Sequence, residues 1–123
     1  MCDLPGVYPD EELIEYMVLC PEDTGLKVFL FADSGGACIR NEHKPCIYMP
    51  NGYDIHDVPV RIDLNSVSTD MFAVKDLKIS RQDFDGVIRY INLNMEELVA
   101  MAEERLNNYV YIKTQKPISN ANT

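Results

Sequence analysis

Residues 80–108 read SRQDFDGVIRYINLNMEELVAMAEERLNN, and this stretch decides the fold. Its apolar residues recur at spacings of three and four, which is the period of one face of an α-helix. The members of this face are Phe84, Val87, Ile88, Ile91, Met95, Leu98, Val99, Ala102 and Leu106. Charged and amide side chains occupy the opposite face. The pattern predicts one long amphipathic helix over 80–108, which needs a sheet to cover its apolar face.

Two features stand out along this predicted helix. Ser80 and Asp83 form a pair that is typical of a capping box at a helix start. Asn94 lies in the middle, where asparagine is a poor helix residue but a good cap, so it could restart a second helix together with Glu97. Because the apolar phase continues across this point, one helix, bent at most, is the favoured interpretation.

The segments around this helix predict a mainly antiparallel sheet of four or five strands. The clearest strand is 58–64, where apolar residues alternate with Pro59, Arg61 and Asp63. Turn-forming residues separate further predicted strands at 26–32, 37–40, 46–49 and 71–74, and β-prone residues at 109–113 could add a last one. A short N-terminal helix is predicted to begin at Asp10 and to end before Pro21, with a strand over the same residues left open.

The chain is therefore predicted to be a single α+β domain over residues 1–123, with the long C-terminal helix on one face of the sheet and a flexible tail from about 114. The predicted core includes Val28, Leu30, Ile47, Val60, Ile62, Phe84, Ile88, Ile91, Met95 and Leu98. No apolar run approaches the roughly 20 residues that span a bilayer, and no secretory signal is recognised. A cytoplasmic protein without membrane contact is expected.

Acidic residues are concentrated at the start of the chain. The first 26 residues contain seven acids and no bases, a net charge of −7, whereas the whole chain carries −9. A solvated surface that aids solubility is the simpler interpretation. The alternative is a binding surface for a basic protein partner, formed by Asp10, Glu11, Glu12 and Glu15, or a mimic of nucleic acid. Direct nucleic-acid binding is not expected, because the eleven basic residues are scattered.

Cysteines and histidines are the candidates for chemistry. The set with ligand types that suit zinc is Cys38, His43, Cys46 and His56. Its spacing, C-x4-H-x2-C-x9-H, is not a standard zinc spacing. A Cys–His nucleophile pair, or an acid–base site at Asp54, His56 and Asp57, needs contacts that a sequence does not show. All four cysteines are interpreted as reduced thiols, and no catalytic residue, metal or cofactor is predicted.

Two stretches resemble a family of small prokaryotic proteins of unknown function that are often linked to toxin–antitoxin loci. Glu42-His43-Lys44-Pro45 is similar to the family's Asp/Glu-His-x-Pro segment, and IRYINLNMEEL at 88–98 is similar to its closing helix. The chain departs from the family at residues 46–48 (Cys-Ile-Tyr), which replace a second proline and histidines, and residues 50–57 look like an insertion. The resemblance covers roughly 26–106. It implies a short sheet followed by one C-terminal helix, and it carries over no catalytic residues.

These features predict a small acidic, non-enzymatic protein that binds a macromolecular partner in a prokaryotic or phage regulatory or defence-related system. The partner is expected to be a protein, and self-association into a homodimer is left open. Two alternatives also stay open. One is a small cytosolic enzyme that uses Cys38 or Cys46 with a histidine. The other is an inhibitor that occupies a nucleic-acid-binding groove by presenting carboxylates in place of phosphates.

Overall fold

A computed structural model of the chain describes residues 17–33, 44–68 and 77–118. Within these ranges the elements are β1 (Met17–Leu19), α1 (Pro21–Thr24), β2 (Leu30–Ala32), β3 (Cys46–Pro50), β4 (Pro59–Asp63), α2 (Arg81–Leu93), α3 (Met95–Ala102) and α4 (Asn108–Thr114). The four strands form one antiparallel sheet in the order β1-β2-β3-β4, so the α+β class is confirmed. None of the helices in these ranges has the length and apolar character needed to cross a membrane.

One face of the sheet carries the main core. Leu30, Ile47 and Ile62 of three neighbouring strands are fully buried there. The same cluster contains residues of the helical layer, namely Phe84, Val87, Ile88, Tyr90, Ile91, Leu98, Met101 and Tyr111. Most of the predicted core is therefore buried, whereas Val60 and Met95 are only partly buried.

The other face of the sheet carries a smaller apolar cluster. Its buried members are Val18, Cys20, Phe31 and Cys46. Leu30 and Phe31, which are adjacent in β2, are thus buried on opposite faces. This is the pattern of a central strand, as the nearly continuous apolar run around β2 predicts.

The single helix predicted over 80–108 is wrong, because the chain forms two helices there. α2 ends at Leu93 and α3 begins at Met95, with Asn94 (φ −113°, ψ 17°) between them. Asn94 is fully buried, and its side chain pairs with the backbone of Lys116: Nδ2 donates to Lys116 O (2.9 Å) and Oδ1 accepts from Lys116 N (2.8 Å). Periodicity does not reveal the break, because the apolar face continues across it.

α3 ends at Ala102, well before residue 108, in a Schellman arrangement. Glu104 N donates to Met101 O (3.2 Å), and Arg105 N donates to Ala100 O (2.8 Å). Glu104 adopts a positive φ of 62°, a conformation that glycine usually supplies at this position. The chain therefore turns at a residue whose type gives no local stop signal.

Helix α4 replaces the strand predicted at 109–113. Asn107 caps it, since Asn107 Oδ1 accepts from Tyr109 N (2.8 Å). The next residues, 115–118, pack against the body of the protein: Ile118 is buried, and its N–H donates to Thr24 O (2.9 Å). This segment differs from the flexible tail predicted from about 114, and 119–123 lie outside the described residues.

Gly25 is where residues 115–118 approach α1 most closely. It ends α1 in the left-handed region (φ 82°), and its N–H donates to Pro21 O (2.9 Å). A Cβ at this position would overlap the carbonyl oxygen of Ile118. Only glycine suits both the backbone angle and the close approach.

Several predicted elements fall partly or wholly outside the described residues. Residues 17–19 form β1, which is the strand that the sequence left open against a short N-terminal helix, and 10–16 are outside the described ranges. Pro21, predicted to end that helix, instead begins α1. The predicted strands at 37–40 and 71–74 are also outside.

Candidate functional site

The predicted site residues are only partly covered by the structure. The proposed partner-binding acids Asp10, Glu11, Glu12 and Glu15 lie outside the described residues, as do Cys38 and His43. Their roles stay predictions. Cys46, His56 and the loop between β3 and β4 lie within the described ranges.

Cys46 is the first residue of β3, and His56 lies on the loop after the strand. Cys46 is fully buried and is not in a disulfide. His56 is exposed on the loop that follows Pro50, the last residue of the strand. A nucleophilic thiolate must be accessible to substrate, and the fully buried Cys46 is not. Within the described ranges, no three His, Cys, Asp or Glu residues are grouped so that they could hold a metal ion.

Cys20 is disulfide-bonded, so the interpretation of all four cysteines as reduced thiols is wrong. Its partner lies outside the described residues, since Cys46 is not in a disulfide. Cys46 could not be the disulfide partner of Cys20. β2 lies between β1 and β3, so these two strands are roughly 10 Å apart, whereas the Cα atoms of two bridged cysteines lie within about 7 Å. The sequence did not reveal the bond, because cysteine spacing alone does not specify pairing.

The β3–β4 loop is closed by a hydrogen bond from Asn51 N to Val58 O (2.8 Å). Inside the loop, Asp54 Oδ1 accepts from His56 N (2.8 Å), and Asp57 Oδ2 accepts from Asp54 N (3.1 Å). Both carboxylates therefore hold the backbone of their own loop, as in Asx turns. The loop has a defined shape, and its acids are already engaged in maintaining it.

Tyr53 attaches this loop to the first turn of α2. Its hydroxyl donates to Asp83 Oδ2 (2.5 Å) and accepts from Ser80 N (3.0 Å). Ser80 Oγ accepts from Asp83 N (3.1 Å), so the predicted helix cap is confirmed. A further bond from Lys78 N to Asn51 Oδ1 (2.6 Å) holds the base of the loop. Sequence reasoning missed this attachment, because no local pattern marks a contact between residues so far apart in the chain.

The attachment creates an exposed surface, which we call the acidic loop surface and define as Tyr53, Asp54, Asp57, Val58 and Asp83. Tyr53 and Val58 are 48% and 76% exposed. None of the three carboxylates belongs to an ion pair within the part of the chain that the structure describes. Acids that do pair with a base elsewhere are Asp63, Asp85, Glu97 and Glu103. The surface therefore joins unneutralised negative charge to aromatic and apolar area, and tyrosine is enriched at protein interfaces.

A second polar cluster is buried where α2 and α4 meet residues 115–118. We call it the buried tyrosine network and define it as Tyr90, Asn94, Tyr111 and Gln115. Tyr90 Oη donates to Gln115 Oε1 (2.7 Å), so Tyr111 Oη supplies the proton of the 2.7 Å bond between the two tyrosines. Gln115 Nε2 donates in turn to Asp23 O of α1. These bonds tie the segment after α4 to α1 and α2.

Burial decides the chemistry of the two tyrosines. It raises the pKa of Tyr90 to about 12 and raises the pKa of Tyr111 far above its usual range. Both hydroxyls therefore stay protonated at neutral pH, whereas a general acid or base works best with a pKa near the operating pH. The network is a set of structural links. The sequence signal for it was Asn94, a polar residue at the edge of the apolar face of the predicted helix.

Comparison with known proteins adds no relative. The chain matches no protein-family model, no curated protein and no solved structure. The resemblance drawn from Glu42-His43-Lys44-Pro45 and residues 88–98 therefore stays a prediction.

Proposed function

We propose that this chain is a small acidic interaction protein that binds a basic surface on a partner protein. The observation that carries the proposal is the charge distribution: residues 1–26 hold seven acids and no bases, in a chain that has eleven bases overall. A segment without counter-charges produces a strong local negative potential, which speeds association with basic partners and selects against acidic ones. The proposed contact residues are Asp10, Glu11, Glu12 and Glu15.

The acidic loop surface supports the same proposal from within the described residues. Asp54, Asp57 and Asp83 lie around Tyr53, and none of them is in an ion pair there. A lysine or arginine of a partner can therefore approach these carboxylates without displacing a base of this chain. Tyr53 and Val58 add contact area that a charge-only surface would lack.

The proposal includes no catalytic step and no cofactor. Cys46 is fully buried, so it lacks the access to substrate that the thiol of a Cys–His enzyme would need. A cytoplasmic location, and a prokaryotic or phage regulatory or defence-related setting, remain hypotheses. The Cys20 disulfide argues against a reducing compartment, because cytosolic thiols are normally kept reduced.

The test is capture of partners from a native lysate of the source cells by the immobilised full chain. The key variant neutralises the N-terminal acids, with Asp10→Asn, Glu11→Gln, Glu12→Gln and Glu15→Gln. A matched control neutralises four acids of the helical layer, with Asp85→Asn, Glu96→Gln, Glu103→Gln and Glu104→Gln. Both variants change the net charge from −9 to −5, by four units. The control also removes the ion pairs of Asp85 and Glu103, which lie at the surface and contribute little to stability.

We expect the wild type and the control to capture a partner at about 0.05 M salt and to lose it at about 0.5 M, because the screening length of exposed charges falls from about 14 Å to about 4 Å over this range. The N-terminal variant should fail to capture it at either salt concentration. If that variant keeps the same partner with the same salt response, the acidic segment serves solubility alone and the proposal is wrong. A partner that duplex DNA displaces would identify the nucleic-acid-mimicking form of the same function.

A further inference from the structure

β4 forms an edge of the sheet, and within the described residues it pairs with β3 alone. Residues of an antiparallel strand alternate between those that bond the neighbouring strand and those that face away from it. Leu64 N, just after β4, donates to Pro45 O (3.0 Å). The even-numbered residues of β4 therefore direct their backbone N–H and C=O groups towards β3. Arg61 and Asp63 consequently direct their backbone N–H and C=O groups away from β3.

Two features restrict where another strand could pair with this edge. Pro59 has no N–H, so the outward donors of β4 are Arg61 and Asp63. Asp63 O also accepts from Ser66 N (3.1 Å), which leaves one of its two lone pairs. An incoming strand therefore meets two N–H donors, both in the second half of β4, and three C=O acceptors, those of Pro59, Arg61 and Asp63.

Residues 60–64, Val-Arg-Ile-Asp-Leu, are complementary to themselves in the antiparallel direction. If Ile62 lies opposite Ile62 of a second copy, then Arg61 lies opposite Asp63 and Val60 lies opposite Leu64. This register sets outward-facing residues opposite one another, as a hydrogen-bonded ladder requires. It also sets opposite charges on one face, because Arg61 and Asp63 already lie on the same face of β4, with Nε 2.9 Å from Oδ1.

Other registers are disfavoured by charge or by the sheet pleat. A shift of two residues in one direction sets Arg61 opposite Arg61, and in the other direction it sets Asp63 opposite Asp63. Like charges directly opposite each other are destabilising in antiparallel pairs. A shift of one residue moves the apolar side chains to the wrong face.

We infer that two copies of this chain pair through β4 with Ile62 on the twofold axis, forming a homodimer with one continuous sheet. A second copy suits this edge because its Asp63 lies opposite Arg61 of the first copy while its Arg61 lies opposite Asp63 of the first copy. The two side chains, 38% and 40% exposed, are accessible for this exchange of partners. Such an isologous contact closes on itself and leaves no further edge of β4 exposed. This interface is separate from the proposed N-terminal binding surface, and each can fail without the other.

Charge reversal tests the register. Arg61→Asp or Asp63→Arg alone sets like charges opposite each other at both pairs, and we expect the dissociation constant of the dimer to rise roughly tenfold or more. Sedimentation equilibrium would follow the shift from twice the 14.0 kDa chain mass towards one chain. Mixing the two single variants restores opposite charges only between unlike copies, so the mixture should form heterodimers. The double variant R61D/D63R should form homodimers again.

The mixing experiment separates the interface from the ion pair inside one chain, because both single variants lack the pair of Arg61 with Asp63. Circular dichroism checks that each variant is folded. Two single variants that self-associate as tightly as the wild type, or a mixture that stays monomeric while each variant is folded, would overturn the register.

Amide hydrogen exchange on the unaltered chain tests the inference without any substitution. The amides of Arg61 and Asp63 should gain protection as the protein concentration rises, whereas the amide of Ile62, which faces β3, should not. The homodimer would be overturned if the amide exchange rates of Arg61 and Asp63 did not change with protein concentration and the protein kept the mass of one chain throughout. Neither readout depends on the N-terminal acids, so failure of the proposed function would leave these results unchanged.

Discussion

Two tyrosine-centred clusters hold distant parts of this chain together, and they differ mainly in exposure. Tyr90 in the buried tyrosine network is fully buried, whereas Tyr53 in the acidic loop surface is 48% exposed. Both hydroxyls donate to a side-chain oxygen, at 2.7 Å and 2.5 Å. When such a bond is removed, water replaces it at the exposed site but not at the buried one. Burial, rather than bond length, should therefore set how much each cluster contributes to stability.

The same difference separates structural from functional use. The buried network cannot bind a partner without opening the core around Tyr111. The acidic loop surface can bind a partner protein at little cost in stability, because its polar groups are already solvated. Substitutions in the two clusters should therefore give effects of different size.

Gly25→Ala should have the largest effect, because it acts on the segment that carries Gln115 of the buried network. The new Cβ would overlap Ile118 O at a positive φ, so residues 115–118 must move away from α1. We expect the free energy of unfolding, measured by urea denaturation, to fall by about 3 kcal/mol or more. The control is Gly86→Ala, where the nearest neighbour is the flexible end of Ile118 at 3.3 Å and helix propensity favours alanine. Equal losses in both variants would contradict the role assigned to Gly25.

Asn94→Ala should follow, because it leaves Lys116 N and Lys116 O without their side-chain partner. We expect a loss of about 2–3 kcal/mol in the free energy of unfolding. Asn92→Ala is the matched control, because Asn92 is exposed on the same helix and its change should stay within about 0.5 kcal/mol. If the two variants are equally stable, Asn94 does not hold the C-terminal segment.

Tyr90→Phe removes the central hydroxyl of the buried network. Tyr111 loses its acceptor and Gln115 loses its donor, and we expect the free energy of unfolding to fall by about 2 kcal/mol. Tyr109→Phe, at an exposed position of α4, should change it by less than about 0.5 kcal/mol. A Tyr90→Phe variant as stable as the wild type would show that the network contributes only packing.

High pH should weaken the buried tyrosine network. Burial raises the pKa of Tyr90 to about 12, above the value near 10 of an unfolded chain, so the folded state holds this proton more tightly. The contribution to stability is fully present below about pH 10 and is lost as the pH rises towards 12, by up to about 1.4 kcal/mol per pH unit. Urea denaturation as a function of pH would measure this slope. Tyr90→Phe should reduce it, and an unchanged slope in Tyr90→Phe would contradict the assignment.

Tyr53→Phe should have the smallest effect. It removes the bond to Asp83 and the acceptor for Ser80 N, but water can replace both, so the free energy of unfolding should fall by about 0.5 kcal/mol. The loop should nevertheless detach more often, which faster amide exchange at Ser80 would report. A loss as large as that of Tyr90→Phe would contradict the link between exposure and contribution.

The candidate sites are the part of the molecule that the sequence predicted least well. The proposed acids Asp10, Glu11, Glu12 and Glu15 were chosen from charge density alone, and they lie outside the described residues. Cys46 and His56 are close in the chain, but Cys46 is fully buried whereas His56 is exposed. The acidic loop surface was not predicted as a site, because it exists only where Tyr53 meets Asp83.

Local pattern by itself determined the α+β class, the strand β4 with its alternating side chains, the start of α2 at Ser80 and Asp83, and most of the buried positions. These features depend on residues within a few positions of one another, so periodicity and capping chemistry are enough to find them.

Only the tertiary structure decided that the long apolar stretch breaks at Asn94, that residues 108–114 form a helix, and that Cys20 is in a disulfide. The break at Asn94 illustrates the physical reason. A buried amide must have hydrogen-bond partners, and those of Asn94 include the backbone of Lys116, which is 22 residues away and comes near only when the chain has folded.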